Sequence, residues 1–138
     1  ITKAAAAFGS QAVVGSIDVR STLLRGYRVM IKSGTVEISA KPEDHARALV
    51  AAGAGEIFIN NIDADGTMAG FDLKLIRRIA DNVNVPVIAC GGAGSPADLK
   101  SALTEGGASA VAAGSMFVFH GKHRAVLINY NPETVMGG

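Results

Sequence analysis

The chain has a single cysteine, Cys90, so no disulfide can form within it, and a reducing compartment is the default setting. It has no excess of either charge. Thirteen Lys and Arg against twelve Asp and Glu leave a net charge of +1, and the basic residues are scattered. That argues against a nucleic-acid surface or an anionic-membrane surface. No apolar stretch is long enough to cross a bilayer: Ala4–Ala7 is too short and has the flanks of neither a span nor a signal peptide. The fingerprint Gly-x-Gly-x-x-Gly follows no apolar run, which disfavours dinucleotide binding. The histidines make no metal site by spacing alone: His45 falls on a helix pattern, and His120 and His123 lie close together in the tail. No feature asks for a cofactor or a metal. Tryptophan is absent, and the chain opens on Ile1 rather than Met, inside a helical pattern. The expectation is that the N-terminal part of a larger domain is missing.

What is abundant is glycine, 17 of 138 residues, well above the usual ~7%. With an apolar content of 49%, that suits an α/β protein with many short crossings. Residues 2–8 read as the end of a helix stopped by Gly9. Ala12–Asp18 reads as a strand whose alternation puts Val14, Ser16 and Asp18 on one face. In the long connection that follows, Tyr27–Ile31 and Thr35–Ile38 alternate around Ser33-Gly34, the pattern of a β-hairpin set in a loop. Pro42, Glu43 and Asp44 open a helix. Glu56–Asn60 is a second strand, followed by the polar loop Asp63–Thr67. Asp72 caps a helix with Leu75, Ile76 and Ile79 inward and Lys74, Arg77, Arg78 and Asp81 toward water.

The third strand, Val85–Cys90, ends at Gly91-Gly92. A helix starts at once, with Ser95 as N-cap and Pro96 at its first position. Glycines at such a turn let backbone amides approach an anion, usually a phosphate. The fourth strand is Ser109–Ala113, and Gly114-Ser115 then opens a short apolar helical piece. Strands that are mostly continuous apolar runs predict a parallel sheet covered on both faces. An open doubly-wound sheet and a part of a (β/α)8 barrel both fit. Glycines after the penultimate strand, then Gly114-Ser115 before a short extra helix, match the phosphate site of barrels and favour the latter.

The segments Phe8-Gly9-Ser10-Gln11, Ser16-Ile17-Asp18, Gly53-Ala54-Gly55-Glu56, Ile62–Thr67 and Cys90–Gly94, in that order, resemble the cyclase subunit of imidazole glycerol phosphate synthase. The resemblance implies that residues 1–138 are a single partial domain, the C-terminal half (strands five to eight) of a (β/α)8 TIM barrel, with the hairpin in the loop after strand five. It implies a cytoplasmic C–N lyase and cyclase of histidine biosynthesis that takes ammonia from a glutaminase (glutamine amidotransferase) partner. Its substrate would be a bis-phosphorylated ribulosyl-formimino-aminoimidazole carboxamide ribotide. Its products would be imidazole glycerol phosphate and aminoimidazole carboxamide ribotide.

By the same resemblance Asp18 is the catalytic carboxylate. Asp65, Gly66, Gly92, Gly114 and Ser115 hold one substrate phosphate, and Glu56 stands where ammonia enters, at the opposite mouth. A second carboxylate and a second phosphate site lie outside this chain, so the isolated chain is expected to be inactive. Its free edges, Ala12–Asp18 and Ser109–Ala113, are expected to pair with the missing half or with another copy. Against the family pattern stand Asn60-Asn61 for Thr-Ser, Ala64 for Arg, Cys90 for Ser, and a tail, residues 117–130, in place of a long last helix. The tail and Ala112–Ser115 are closer to a paralogous branch associated with amidation of surface-polysaccharide (lipopolysaccharide) sugars. A non-catalytic scaffold that binds phosphosugar or conducts ammonia is the reading from another class. Each site residue also has a plainer reading. Gly91–Gly94 could be a tight turn, Asp18 a locally satisfied strand end, Asp63 a turn former, Glu56 a solvated strand start, and Cys90 an inert inward side chain.

Overall fold

A computed structural model describes residues 1–120 and, as backbone, residues 125–126. The elements are α1 (Thr2–Phe8), β1 (Val14–Thr22), β2 (Gly26–Ile31), β3 (Val36–Ile38), α2 (Pro42–Ala51), β4 (Glu56–Asn61), α3 (Leu73–Ala80), β5 (Val87–Cys90), α4 (Pro96–Thr104), β6 (Ala110–Ala112) and α5 (Ser115–Val118), then the short pair β7 (Phe119–His120) and β8 (Ala125–Val126). Four strands run parallel in the order β1-β4-β5-β6, each beside its predecessor. Strands added in sequence, with no reversal of order among the described residues, are consistent with a barrel wall.

The helices begin where local chemistry favours them. Asp72 accepts a hydrogen bond from the Leu75 amide (3.0 Å) and caps α3. Ser95 accepts from the Asp98 amide (3.3 Å) and caps α4, with Pro96 at its first position. Both caps satisfy amides that a helix start leaves free. The helices then lie on one face of the sheet. Ala46 of α2 and Leu75 and Ile79 of α3 pack on Ile17, Val19, Ile57, Ile59 and Val87. Ile76 of α3 and Ala102 of α4 pack on Ala89.

The other face is open. Val14 is 51% exposed, Ser16 and Ala110 are exposed, and Phe58 and Ile88 are only part-covered. The expected two-sided cover is therefore absent among the described residues. Apolar runs fit such a sheet because the open face would be the inside of a closed barrel.

The first strand also differs from its expected range. A short 3-10 turn takes Ser10–Ala12, and β1 runs on past Asp18 to Thr22. The reason is β2, which folds back antiparallel on β1 with Asp18 opposite Met30 and Thr22 opposite Gly26. β3 then pairs antiparallel with β2. The edge of β1 is thus covered from Asp18 onward, and the stretch left open is shorter than Ala12–Asp18.

Two of the helix charges expected to face water are engaged instead. Arg77 of α3 donates to the Glu105 carbonyl from Nε (3.0 Å) and Nη2 (2.6 Å), capping the end of α4. Arg78 pairs with Glu43 at the start of α2, and Glu43 is buried. Burial pushes the Glu43 carboxyl up, but the Arg78 guanidinium and the residue's own backbone amide outweigh it and hold it below the usual carboxylate range. A carboxylate with a lowered pKa stabilises the fold above its ordinary pKa, and that stability is lost as pH falls through the lowered one. Arg78→Met should therefore destabilise the protein by about 1 kcal/mol at pH 7, the 40% exposure of Arg78 reducing what a fully buried pair would lose. In urea denaturation the difference from wild type should close as pH falls through and below the usual carboxylate range.

Candidate functional site

The parallel register builds one lateral row at the carboxyl ends of the strands. Asp18 of β1 stands beside Asn60 of β4, Asn60 beside Cys90 of β5, and Cys90 beside Ala112 of β6. All four sit at the same parity and belong to the open face, while their chain neighbours Ile17, Ile59 and Ala89 are buried under helices. Asp18 is half-buried. Asn60 donates from Nδ2 to Asp18 Oδ1 at 3.3 Å. Among the described residues no group donates to the carboxylate's other oxygen.

Beyond the row, three chain turns meet. Asp65, Gly66, Cys90–Ala93 and Ala112–Ser115 line one small, partly open cleft. All five residues singled out as phosphate ligands (Asp65, Gly66, Gly92, Gly114 and Ser115) are in it. Asp18 and Glu56 are not. At ~4.8 Å per strand, Asp18 lies about 10 Å across the sheet from the β5 end of this cleft. Glu56 begins β4, four residues before Asn60, hence about 13 Å along the strand from the row. It has no side-chain partner among the described residues.

The glycines of the 91–94 turn have a structural reason to be glycines. A Cβ on Gly92 would lie 2.1 Å from the Gly70 carbonyl oxygen, and one on Gly94 would lie 2.1 Å from that of Met68. The Gly70 amide donates to the Gly92 carbonyl at 2.8 Å. The turn thus clasps the 66–70 loop. The start of α4 is also filled from within. Asp98 Oδ2 accepts from the Gly94 amide (3.0 Å) and the Ser95 hydroxyl (2.9 Å). The Gly94 and Asp98 amides at that helix start are therefore taken, and the cleft lies one step earlier, at Gly91–Ala93. Gly114 is different. A Cβ there would meet nothing within 4 Å, so packing does not explain its being glycine.

The remaining polar residues fall into place around this. Asp63 holds the end of β1: its carboxylate accepts from the Ser21 amide (2.8 Å) and pairs with Arg20 (3.3 Å). Tyr27 of β2 donates to Asp72 at 2.9 Å. Burial, with that hydrogen bond and the Asp72 charge, pushes the Tyr27 phenol up to about 12. Burial first, then the nearby Asp65 charge, pushes the Cys90 thiol up, so Cys90 is a neutral thiol near pH 7. Among the described residues no group of acidic, His and Cys side chains could hold a metal ion. No helix among them is long and apolar enough to cross a membrane. His123 and residues 121–124 and 127–130 of the tail lie outside the described residues, as does the side chain of His120.

Sequence reading missed the Asn60–Asp18 bond, although the alternation that puts Asp18 with Val14 and Ser16 on one face puts Asn60 with Glu56 and Phe58 in the same way. The Arg78–Glu43 pair, joining two helices through residues 35 apart in sequence, left no sequence signal.

A sequentially ordered parallel sheet, helices on one face and a polar cleft at the strands' carboxyl ends define an α/β chain of the TIM-barrel class. A family model described as "Histidine biosynthesis protein" matches residues 1–124, and the chain belongs to that family. A Pseudomonas aeruginosa protein provisionally named imidazole glycerol phosphate synthase subunit hisF2 is 57% identical over 130 residues, 94% of this chain and 52% of the relative. The imidazole glycerol phosphate synthase subunit HisF of Oleidesulfovibrio alaskensis is 45% identical over 128 residues, 89% of this chain and 49% of the relative. That of Nitratidesulfovibrio vulgaris is 47% identical over 115 residues, 80% and 44%. The chain spans about half the length of the curated relatives it matches.

Proposed function

We propose that this chain supplies strands five to eight of a (β/α)8 barrel, and that the full-length protein is the cyclase subunit of an imidazole glycerol phosphate synthase. The observation that carries the reading is the meeting of Gly66, Gly92, Gly114 and Ser115 in one cleft, on the same strand ends as Asp18; Asp65 lines it without donating, its amide being bonded to the Asn61 carbonyl at 2.9 Å. Breaking a C–N bond and closing a ring needs a proton donor and an acceptor on opposite sides of the substrate, a task for two carboxylates. Asp18 is one. The other belongs to the half of the barrel outside this chain. The cleft holds one phosphate of the substrate, and the ~10 Å to Asp18 leaves room for the sugar carbons between them. Ammonia from a glutaminase partner enters at the opposite mouth, past Glu56. The isolated chain lacks the second carboxylate and does not turn over.

A second reading keeps the ammonia-handling barrel and changes the acceptor to a polysaccharide sugar. Ala112–Ser115, which line the cleft and are closer in sequence to that branch, favour it. Both readings need the phosphate cleft and differ in the product.

The cleft is tested by titrating the full-length protein with inorganic phosphate and following backbone amide signals. Gly92, Ala93, Gly114 and Ser115 should move together. Gly114→Ala, which costs no packing, should weaken phosphate at least 10-fold with thermal stability unchanged. An unmoved Gly114 signal, or unchanged affinity in the variant, would remove the cleft from the site.

A further inference from the structure

We propose that Asn60 is the positioning residue for Asp18: its side-chain amide holds Asp18 Oδ1, so that Oδ2 alone is presented to the substrate. The inference rests on the cyclase reading of Asp18 and adds to it a choice between the two carboxylate oxygens and a residue that enforces it.

Three observations converge. The Asn60 and Asp18 backbones are register partners on neighbouring parallel strands, so their side chains leave the same face of the sheet one strand apart. Nδ2 of Asn60 donates to Asp18 Oδ1 at 3.3 Å. The amide cannot be reversed usefully, because an ionised carboxylate only accepts and would then face a second acceptor. On its other side Asn60 Oδ1 is buried with no hydrogen-bond partner. It lies against the start of the glycine turn, 3.2 Å from where a Cβ of Gly91 would stand.

A buried carbonyl oxygen without a donor is unfavourable, and functional sites are where such a group persists. If Asn60 only filled space, an apolar residue of similar size would do so without that penalty. Its presence here is explained by the bond that it makes on the other side. The amide is wedged between the strand carrying Asp18 and the turn lining the cleft. Asp18 therefore keeps one geometry relative to a substrate whose phosphate sits in that cleft. Oδ1 is fixed by a donor and Oδ2 remains to exchange the proton.

The test is steady-state kinetics of the full-length protein with ammonium as nitrogen donor and the bis-phosphorylated carboxamide ribotide as substrate. Asn60→Leu keeps the volume and removes the donor. It should lower kcat 10- to 100-fold with KM within 3-fold. Asn60→Thr, whose hydroxyl can still donate, should restore kcat to within about 5-fold of wild type. Thermal denaturation of both variants identifies any loss that comes from unfolding, and the Thr variant keeps the test valid if the Leu variant is unstable. Equal kcat in wild type and Asn60→Leu, or a Thr variant that folds and stays as slow as the Leu variant, would overturn the inference while leaving the cyclase reading intact. A folded wild type with no turnover would overturn the cyclase reading, and this inference with it.

Discussion

Asp18→Asn in the full-length protein should lower cyclase turnover by about 10²- to 10⁴-fold, the range that a positioned general acid or base supplies. The substitution keeps the shape of the side chain and removes only its proton chemistry. The fold should not notice: Asp18 is half-buried, its backbone pairs with Asn60 and Met30 regardless of side chain, and it belongs to neither apolar cluster. KM should stay close to wild type, because the cleft proposed to hold the substrate's phosphate is ~10 Å away. Turnover with added ammonium and unfolding in urea, measured on the same preparation, check both halves of the expectation. A variant with turnover within 3-fold of wild type would remove Asp18 from the chemistry and favour a scaffold that binds phosphosugar without transforming it.

The largest stability effect should come from Gly92→Ala. Gly92 has φ 110°, outside the range an L-residue adopts comfortably, and a Cβ there would be 2.1 Å from the Gly70 carbonyl oxygen. Backbone strain of this kind costs roughly 1–3 kcal/mol and forced overpacking a similar amount. A loss of about 3–4 kcal/mol is expected by urea denaturation. The loop from Gly66 to Gly70 must also move off the turn, so phosphate affinity should fall with stability. Gly114→Ala separates the two effects, because its Cβ enters open space. The pair thus distinguishes a glycine kept by packing from one whose missing side chain no contact explains. Should Gly92→Ala be as stable as wild type, the clasp between the 91–94 turn and the 66–70 loop is not as described.

Most of the frame was legible in the sequence because its signals are local. Asp72 and Ser95 cap the helices they were expected to cap, since a short oxygen-bearing side chain before an apolar stripe satisfies the free amides of the next turn. Parity along Val14–Asp18 assigned the face correctly, since a strand alternates whatever its neighbours are. What was not legible depends on contacts between distant segments. The extension of β1 to Thr22 requires β2 to fold back on it, and no pattern in Arg20-Ser21-Thr22 announces that. Arg77 and Arg78 looked solvated on a helical wheel, yet one reaches the end of α4 and the other the start of α2. The glycine turn shows the same limit within the site. Its composition pointed to an anion, whereas the approach of the 66–70 backbone already requires glycine at two of its positions. The anion reading now rests on the cleft as a whole and on Gly114, rather than on the turn where it began.

The most direct measurement is product analysis of the full-length protein supplied with ammonium and the bis-phosphorylated ribulosyl-formimino-aminoimidazole carboxamide ribotide. The account predicts equal amounts of imidazole glycerol phosphate and aminoimidazole carboxamide ribotide, with both lost in Asp18→Asn. A folded protein that binds phosphate and forms neither product would contradict the cyclase assignment.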